Sequence, residues 1–135
     1  MMKAVLVLLL LTILLTLATE SRAQAPVTSK DLFGTWKIKD SAGGKKIGTI
    51  EFLKTGEFEL TVGSARYAAD TAAKWVFDAK NLKVAYEPSG GAPLVYLRGS
   101  LDKYTQSGKQ ASFELTLKEV NRLPVKKGTV LIFER

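Results

Sequence analysis

The chain has 135 residues, 46% of them hydrophobic and 24% charged, carries a formal net charge of +7 and contains neither cysteine nor histidine. Disulfides and thiolate metal sites are therefore excluded, and the usual general base, proton shuttle and imidazole metal ligand are removed together. The basic balance favours anionic partners in general, but the lysines are scattered. Only Lys45-Lys46 and Lys126-Lys127 are adjacent, both in expected turns, and no stacking aromatics interleave them as a nucleic-acid surface requires.

Residues 1–23 read as a secretion signal. Lys3 supplies the positive start, and an apolar run of roughly 15 residues from Ala4 to Ala18 falls short of the roughly 20 that a spanning helix needs. Ser21, Ala23 and Ala25 place small residues for cleavage after Ala23 or Ala25, with an uncleaved anchor as the alternative. No cysteine follows, so a lipobox is excluded. A secreted or periplasmic protein with no stable membrane anchor is the expectation. Loss of Lys3, Glu20 and Arg22 leaves 18 basic and 12 acidic residues, a net +6. Residues 24–31 form a lead-in and residues 32–135 one domain, long enough to bury a core without staples.

In chain order, Ser29 to Leu32 predict one helical turn capped by Ser29. Strand A follows over 34–39, where Gly34 permits a close backbone approach and Trp36 and Ile38 share one face. Asp40 to Lys46 form a turn-rich loop. Strand B, 47–54, turns through Gly56 into strand C, 57–63, in which Phe58, Leu60 and Val62 alternate with Glu57, Glu59 and Thr61. The alanine-dominated stretch 64–73 fits either a helical turn or a small-residue strand. Residues 66–69 and 74–77 together make strand D, with a bulge as one way of joining them. Leu82, Val84 and Tyr86 mark strand E, and the Pro88-to-Pro93 region is an emphatic loop. Strand F, 94–101, has two apolar faces, Val95, Leu97 and Leu101 against Leu94 and Tyr96, so its phase is open. Residues 104–109 read as a turn. Strand G alternates Phe113, Leu115 and Leu117 with polar residues, Asn121 to Gly128 form a basic loop, and strand H covers 129–135. Eight sequential strands without helical periodicity predict an all-β fold, a single eight-stranded antiparallel up-and-down barrel.

Gly34-Thr35-Trp36 at the head of the first strand resembles the lipocalin and lipocalin-like families, in which the tryptophan plugs one end of the barrel. Closure would also put the end of strand H beside the start of strand A, so Arg135 is expected near Trp36, in the manner of the lipocalin arginine that packs on that tryptophan. The order of Leu32 to Trp36, Thr55-Gly56-Glu57-Phe58, Trp75 to Asp78 and Asn81-Leu82-Lys83-Val84 is similar to small bacterial lipocalin-like domains and spans nearly all of residues 24–135. Of the Thr-Asp-Tyr motif of larger lipocalins only Asp102 and Tyr104 remain, and the disulfide and final helix are missing. Avidin-like barrels also begin with Gly-x-Trp, but biotin needs several tryptophans and only Trp75 remains.

The chemistry of the chain points to binding and not to an enzyme. Glu57 and Glu59 lie two apart on an outward strand face, where cross-strand ion pairs explain them. Gly43-Gly44 and Gly90-Gly91 lack the context of a phosphate loop. No catalytic residue, metal site or cofactor is expected. The resemblance implies an exported barrel for a small hydrophobic or amphipathic ligand, its site lined by Phe58, Leu60, Phe77, Val84, Tyr86, Leu97, Phe113 and Leu115, and its opposite end closed by Gly34, Trp36 and Arg135. Tyr86 or Tyr96 would offer a hydroxyl. The bulk of the inward side chains argues equally for a solid core, in which case the barrel would bind another envelope macromolecule or an anionic surface through its loops and basic face.

Overall fold

The computed structural model describes residues 26–67, 72–88 and 94–135. The expected leader, its cleavage site, residues 68–71 of the alanine-rich stretch and residues 89–93 lie outside the described residues. The elements are α1 (Ser29–Leu32), β1 (Gly34–Asp40), β2 (Lys46–Phe52), β3 (Phe58–Val62), β4 (Ala65–Tyr67), β5 (Ala73–Asp78), β6 (Asn81–Tyr86), β7 (Val95–Ser107), β8 (Gln110–Asn121) and β9 (Val130–Glu134).

All nine strands among the described residues belong to one antiparallel sheet in the order β4-β3-β2-β1-β9-β8-β7-β6-β5. The last strand pairs with the first, Lys37 opposite Glu134 and Asp40 opposite Leu131, which wraps the meander round on itself. The two ends of the order then approach at a seam, where Glu57 bridges Lys74 and the Trp75 N–H donates to the Gly56 carbonyl at 2.9 Å. The result is a nearly closed barrel-like sheet.

Nine strands, not eight, is the correction to the sequence reading, and it falls at strand D. The first half, β4, pairs with β3, Tyr67 opposite Leu60. The second half, β5, is bridged through Lys74 to Glu57, just ahead of β3, and pairs along its length with β6. Moving from one contact to the other goes back three residues, from Leu60 to Glu57, but forward seven on the other side, from Tyr67 to Lys74. A continuous ladder cannot absorb that excess, so the strand divides.

The alternation written in the sequence becomes burial. Trp36, Ile50, Phe58, Leu60, Leu82, Val84, Val95, Leu115 and Phe133 are all 0% exposed, and every ionisable side chain among the described residues keeps some surface. The phase of β7, ambiguous in sequence, places Val95, Leu97, Gly99 and Leu101 inward and Tyr96 outward under the ammonium of Lys83, 5.9 Å from its ring centre. Tyr96 therefore offers no hydroxyl to the interior.

Gly99 explains why that face works. A Cβ there would lie 2.6 Å from the Thr116 carbonyl oxygen and 2.8 Å from Cγ of Leu115. The absence of a side chain lets β8 cross β7 closely, just where the register shifts between Arg98 and Gly99. The expected turn at 104–109 is corrected as well: β7 and β8 continue as a ladder to Ser107 opposite Gln110, and only Gly108 and Lys109 turn. The residue that interrupts this ladder is Lys103, at φ 54, where a second register shift separates Asp102 from Thr105.

Candidate functional site

At one end of the sheet α1 lies across the interior. Its cap is Thr28 and not Ser29: the Asp31 carboxylate accepts the Thr28 N–H at 2.8 Å and its hydroxyl at 3.2 Å. Ser29 instead turns its hydroxyl to the Phe77 carbonyl on β5, at 3.4 Å. Leu32 is fully buried, and its carbonyl accepts the Trp36 indole N–H at 2.8 Å. The one turn of helix is thus tied both to β5 and to the first strand.

Arg135 completes this end. Its guanidinium carbon stands 4.1 Å from the centre of the Trp36 ring, and its nitrogens donate to the Phe33 carbonyl at 2.5 Å and the Asp31 carbonyl at 3.1 Å. Gly34, at φ 112, lies beneath it, and a Cβ there would be 3.2 Å from Nη1. Trp36 also meets Phe113 edge-on at 4.8 Å, and Phe113 stacks on Phe133 at 4.6 Å. Nearby, burial raises the phenol pKa of Tyr104, with the Asp31 charge adding to the rise and Arg135 opposing it.

The middle of the interior is closed to water. Phe58, Leu60, Val84 and Leu115 are 0% exposed and Leu97 and Phe113 only 1%. A side chain lining a space that admits water would have surface that water reaches. These six residues belong to one buried cluster, and they face no such space.

The remaining two members of the expected ligand wall are parted. Phe77 sits at the α1 end, beside Ser29 and a surface hollow of about 210 Å³ that also touches Pro26, Val27 and Tyr104. Tyr86 sits at the opposite, far end, opposite Val95 on β7. There it meets Tyr67 of β4, ring centres 5.6 Å apart, across the divided strand.

Around this tyrosine pair the inward face loosens. Val62, Tyr67, Tyr86 and Val120 are only partly buried, whereas their deeper neighbours Leu60, Val84 and Leu97 are sealed. Leu123 and Val125, from the loop between β8 and β9, are also partly buried against the core. Two phenol rings and the partly buried apolar residues around them thus lie over the sealed core at this end. Tyr67, Val62 and Val120 were missed as site residues in the sequence. Tyr67 stood in the blurred alanine-rich stretch, and its facing of Leu60 was the signal that only the pairing supplies; Val120 is turned inward by the register shift that separates the Arg98–Glu119 and Gly99–Leu117 pairs.

The outer wall carries the charges. Lys39 pairs with Glu134, Arg66 with Glu59, Lys74 with Glu57, Arg98 with Glu119 and Lys103 with Glu114. The Arg98 hydrogen bond holds the Glu119 carboxyl below its ordinary range and raises the guanidinium in return. Among the described residues no three acidic side chains gather as a metal site would require. Glu57 and Glu59 each face a cation across the sheet, as structural carboxylates do. The chain has no significant match among family models, curated proteins or solved structures.

Proposed function

We propose that the protein is an exported, lipocalin-like binding barrel, without enzymatic activity, for a small hydrophobic or amphipathic molecule. The proposed site is an apolar cup around Tyr67, Tyr86, Val62 and Val120 at the far end, and the observation that supports it is the contrast between the two ends. At the α1 end a helical turn, an indole and a guanidinium close the interior. At the far end Tyr67 and Tyr86 keep accessible surface over a sealed aliphatic floor. Apolar walls with a few hydroxyls are the usual mixture of small-molecule sites, the hydroxyls fixing orientation while the walls remove apolar surface from water.

Titration with an uncharged fluorescent apolar probe tests this reading. Saturable binding near one probe per chain, displaced by natural lipids and weakened in both Tyr67→Ala and Tyr86→Ala, is the expected result. Absence of saturable binding would overturn it. A second reading is favoured by the sealed burial of Phe58, Leu60, Val84, Leu97, Phe113 and Leu115: a solid-cored barrel that works through its surface, for which the probe would find no site and the two tyrosine variants would bind the macromolecular partner unchanged.

A further inference from the structure

We propose that the far end of the barrel-like sheet docks on the surface of an anionic phospholipid bilayer, through the loop joining β1 to β2 and the loop joining β8 to β9. Because β1 lies between β2 and β9, the two loops are neighbours, and the Ser41 N–H donates to the Val130 carbonyl at 3.1 Å to join their roots. The two adjacent-lysine pairs of the chain, far apart in sequence, thereby come to one place.

Residues 41–46 and 122–129 contain Lys45, Lys46, Arg122, Lys126 and Lys127 and no acidic residue. All five are exposed. The ion pairs of the barrel wall use none of them. Lys127 acts on Glu119, helping to lower its pKa, while Glu119 itself is held by Arg98. The other nearby carboxylate, Asp40, is turned into the β1–β2 loop, where it accepts the Ala42 N–H at 2.9 Å. Glu87 is exposed at the end of β6, three strands away from β9 in the sheet. At the α1 end, by contrast, cations and acids are mixed: Lys30 adjoins Asp31, Lys54 shares a turn with Glu57, and Lys80 one with Asp78.

The β8–β9 loop also supplies an apolar component. Arg122-Leu123-Pro124-Val125-Lys126 places three apolar residues between two cations, with Pro124 exposed and Leu123 and Val125 partly so. A bilayer interface takes both, headgroup phosphates meeting the cations and the acyl boundary meeting the apolar residues, each cation near the surface adding to the attraction. A soluble acidic polymer would use the charges alone, leaving this interleaving without a role.

Flotation with phospholipid vesicles tests the proposal on the full chain, so that any contribution of residues 1–25 is common to every variant. The wild-type protein is expected to float more completely with vesicles containing phosphatidylglycerol than with pure phosphatidylcholine, and the difference to be lost as salt rises. The variant K45Q/K46Q/R122Q/K126Q should bind phosphatidylglycerol vesicles at least about tenfold more weakly. The variant K30Q/K54Q/K80Q/K109Q, with the same loss of charge at the α1 end, should stay within about twofold of wild type. Equal loss in the two variants would reduce the effect to net charge and overturn the proposal. So would equal binding to neutral vesicles, or binding to a soluble acidic polysaccharide without binding to anionic vesicles. The vesicle experiment needs no ligand in the cup, so its failure leaves the probe titration standing, and the reverse.

Discussion

The guanidinium carbon of Arg135 stands 4.1 Å from the centre of the Trp36 indole while its nitrogens donate to the Asp31 and Phe33 carbonyls of the α1 segment. The contact ties the last residue to the first strand and to the α1 segment. Trp36→Ala should cost about 3–5 kcal/mol, since the indole is fully buried and its loss leaves a cavity against Phe113. Arg135→Lys keeps the charge but cannot hold both carbonyls in a planar fork, and should cost about 1–2 kcal/mol. Urea unfolding midpoints measure both, and a lysine variant as stable as wild type would show that the fork geometry contributes nothing.

Trp75 should matter as much at the seam. It packs on Phe52 at 4.7 Å and Phe33 at 6.0 Å, its indole N–H donates to the Leu53 carbonyl at 3.0 Å, and its backbone N–H makes the closing bond to Gly56. Trp75→Ala is expected to cost about 3–5 kcal/mol. Hydrogen exchange should locate the damage: amides at the β3–β5 junction would open ahead of those in the long β7–β8 ladder. Uniform loss of protection would show that the seam is no weaker than the rest.

Gly48 and Gly99 are required by close approach and not by turn geometry. A Cβ on Gly48 would stand 2.2 Å from the Thr61 carbonyl oxygen, and on Gly99 2.6 Å from that of Thr116. Backbone atoms cannot rotate away as a flexible side chain does. Each alanine substitution should therefore destabilise by about 1–3 kcal/mol, read as a lowered urea midpoint. Gly43→Ala, where a Cβ would meet nothing within 4 Å, provides the comparison and should change little.

Tyr104 supplies a pH dependence at the alkaline side. Burial keeps its phenol protonated in the fold above the ordinary value of 10.0 that the unfolded chain would show. More protons are then held by the folded state between the two values, so this contribution is whole below about pH 10 and is lost as pH rises through the folded value. Spectroscopic titration of phenolate should find one tyrosine ionising late, absent in Tyr104→Phe. The phenylalanine variant should also lose stability less steeply above about pH 10 than wild type.

The local pattern of the sequence determined the fold class, because alternation of apolar and polar residues defines both a strand and the face it buries. Phe58, Leu60 and Val62 or Phe113, Leu115 and Leu117 need no tertiary knowledge to be set inward. Other features depended on contacts far apart in sequence. Residues 66–77 read as one strand until β3 and β6 claimed different halves of it. The two apolar faces of β7 were equivalent on paper; the close crossing at Gly99 accompanies the face that turned inward, and the register shift beside it turned Val120 inward.

For the candidate site the division is sharper. The eight residues expected to line a ligand wall were recognised as apolar and inward by alternation, but alternation carries no measure of the space between opposite walls. Only packing across the barrel-like sheet sealed six of them, sent Phe77 to the α1 end, and left Tyr86 facing Tyr67. In the same way composition counted the lysines, while the pairing of β9 with β1 brought Lys45-Lys46 beside Lys126-Lys127. Sequence determined which residues could be buried and which charged; the closure of the sheet decided which of them meet, because that depends on register between strands whose partners lie up to a whole chain apart.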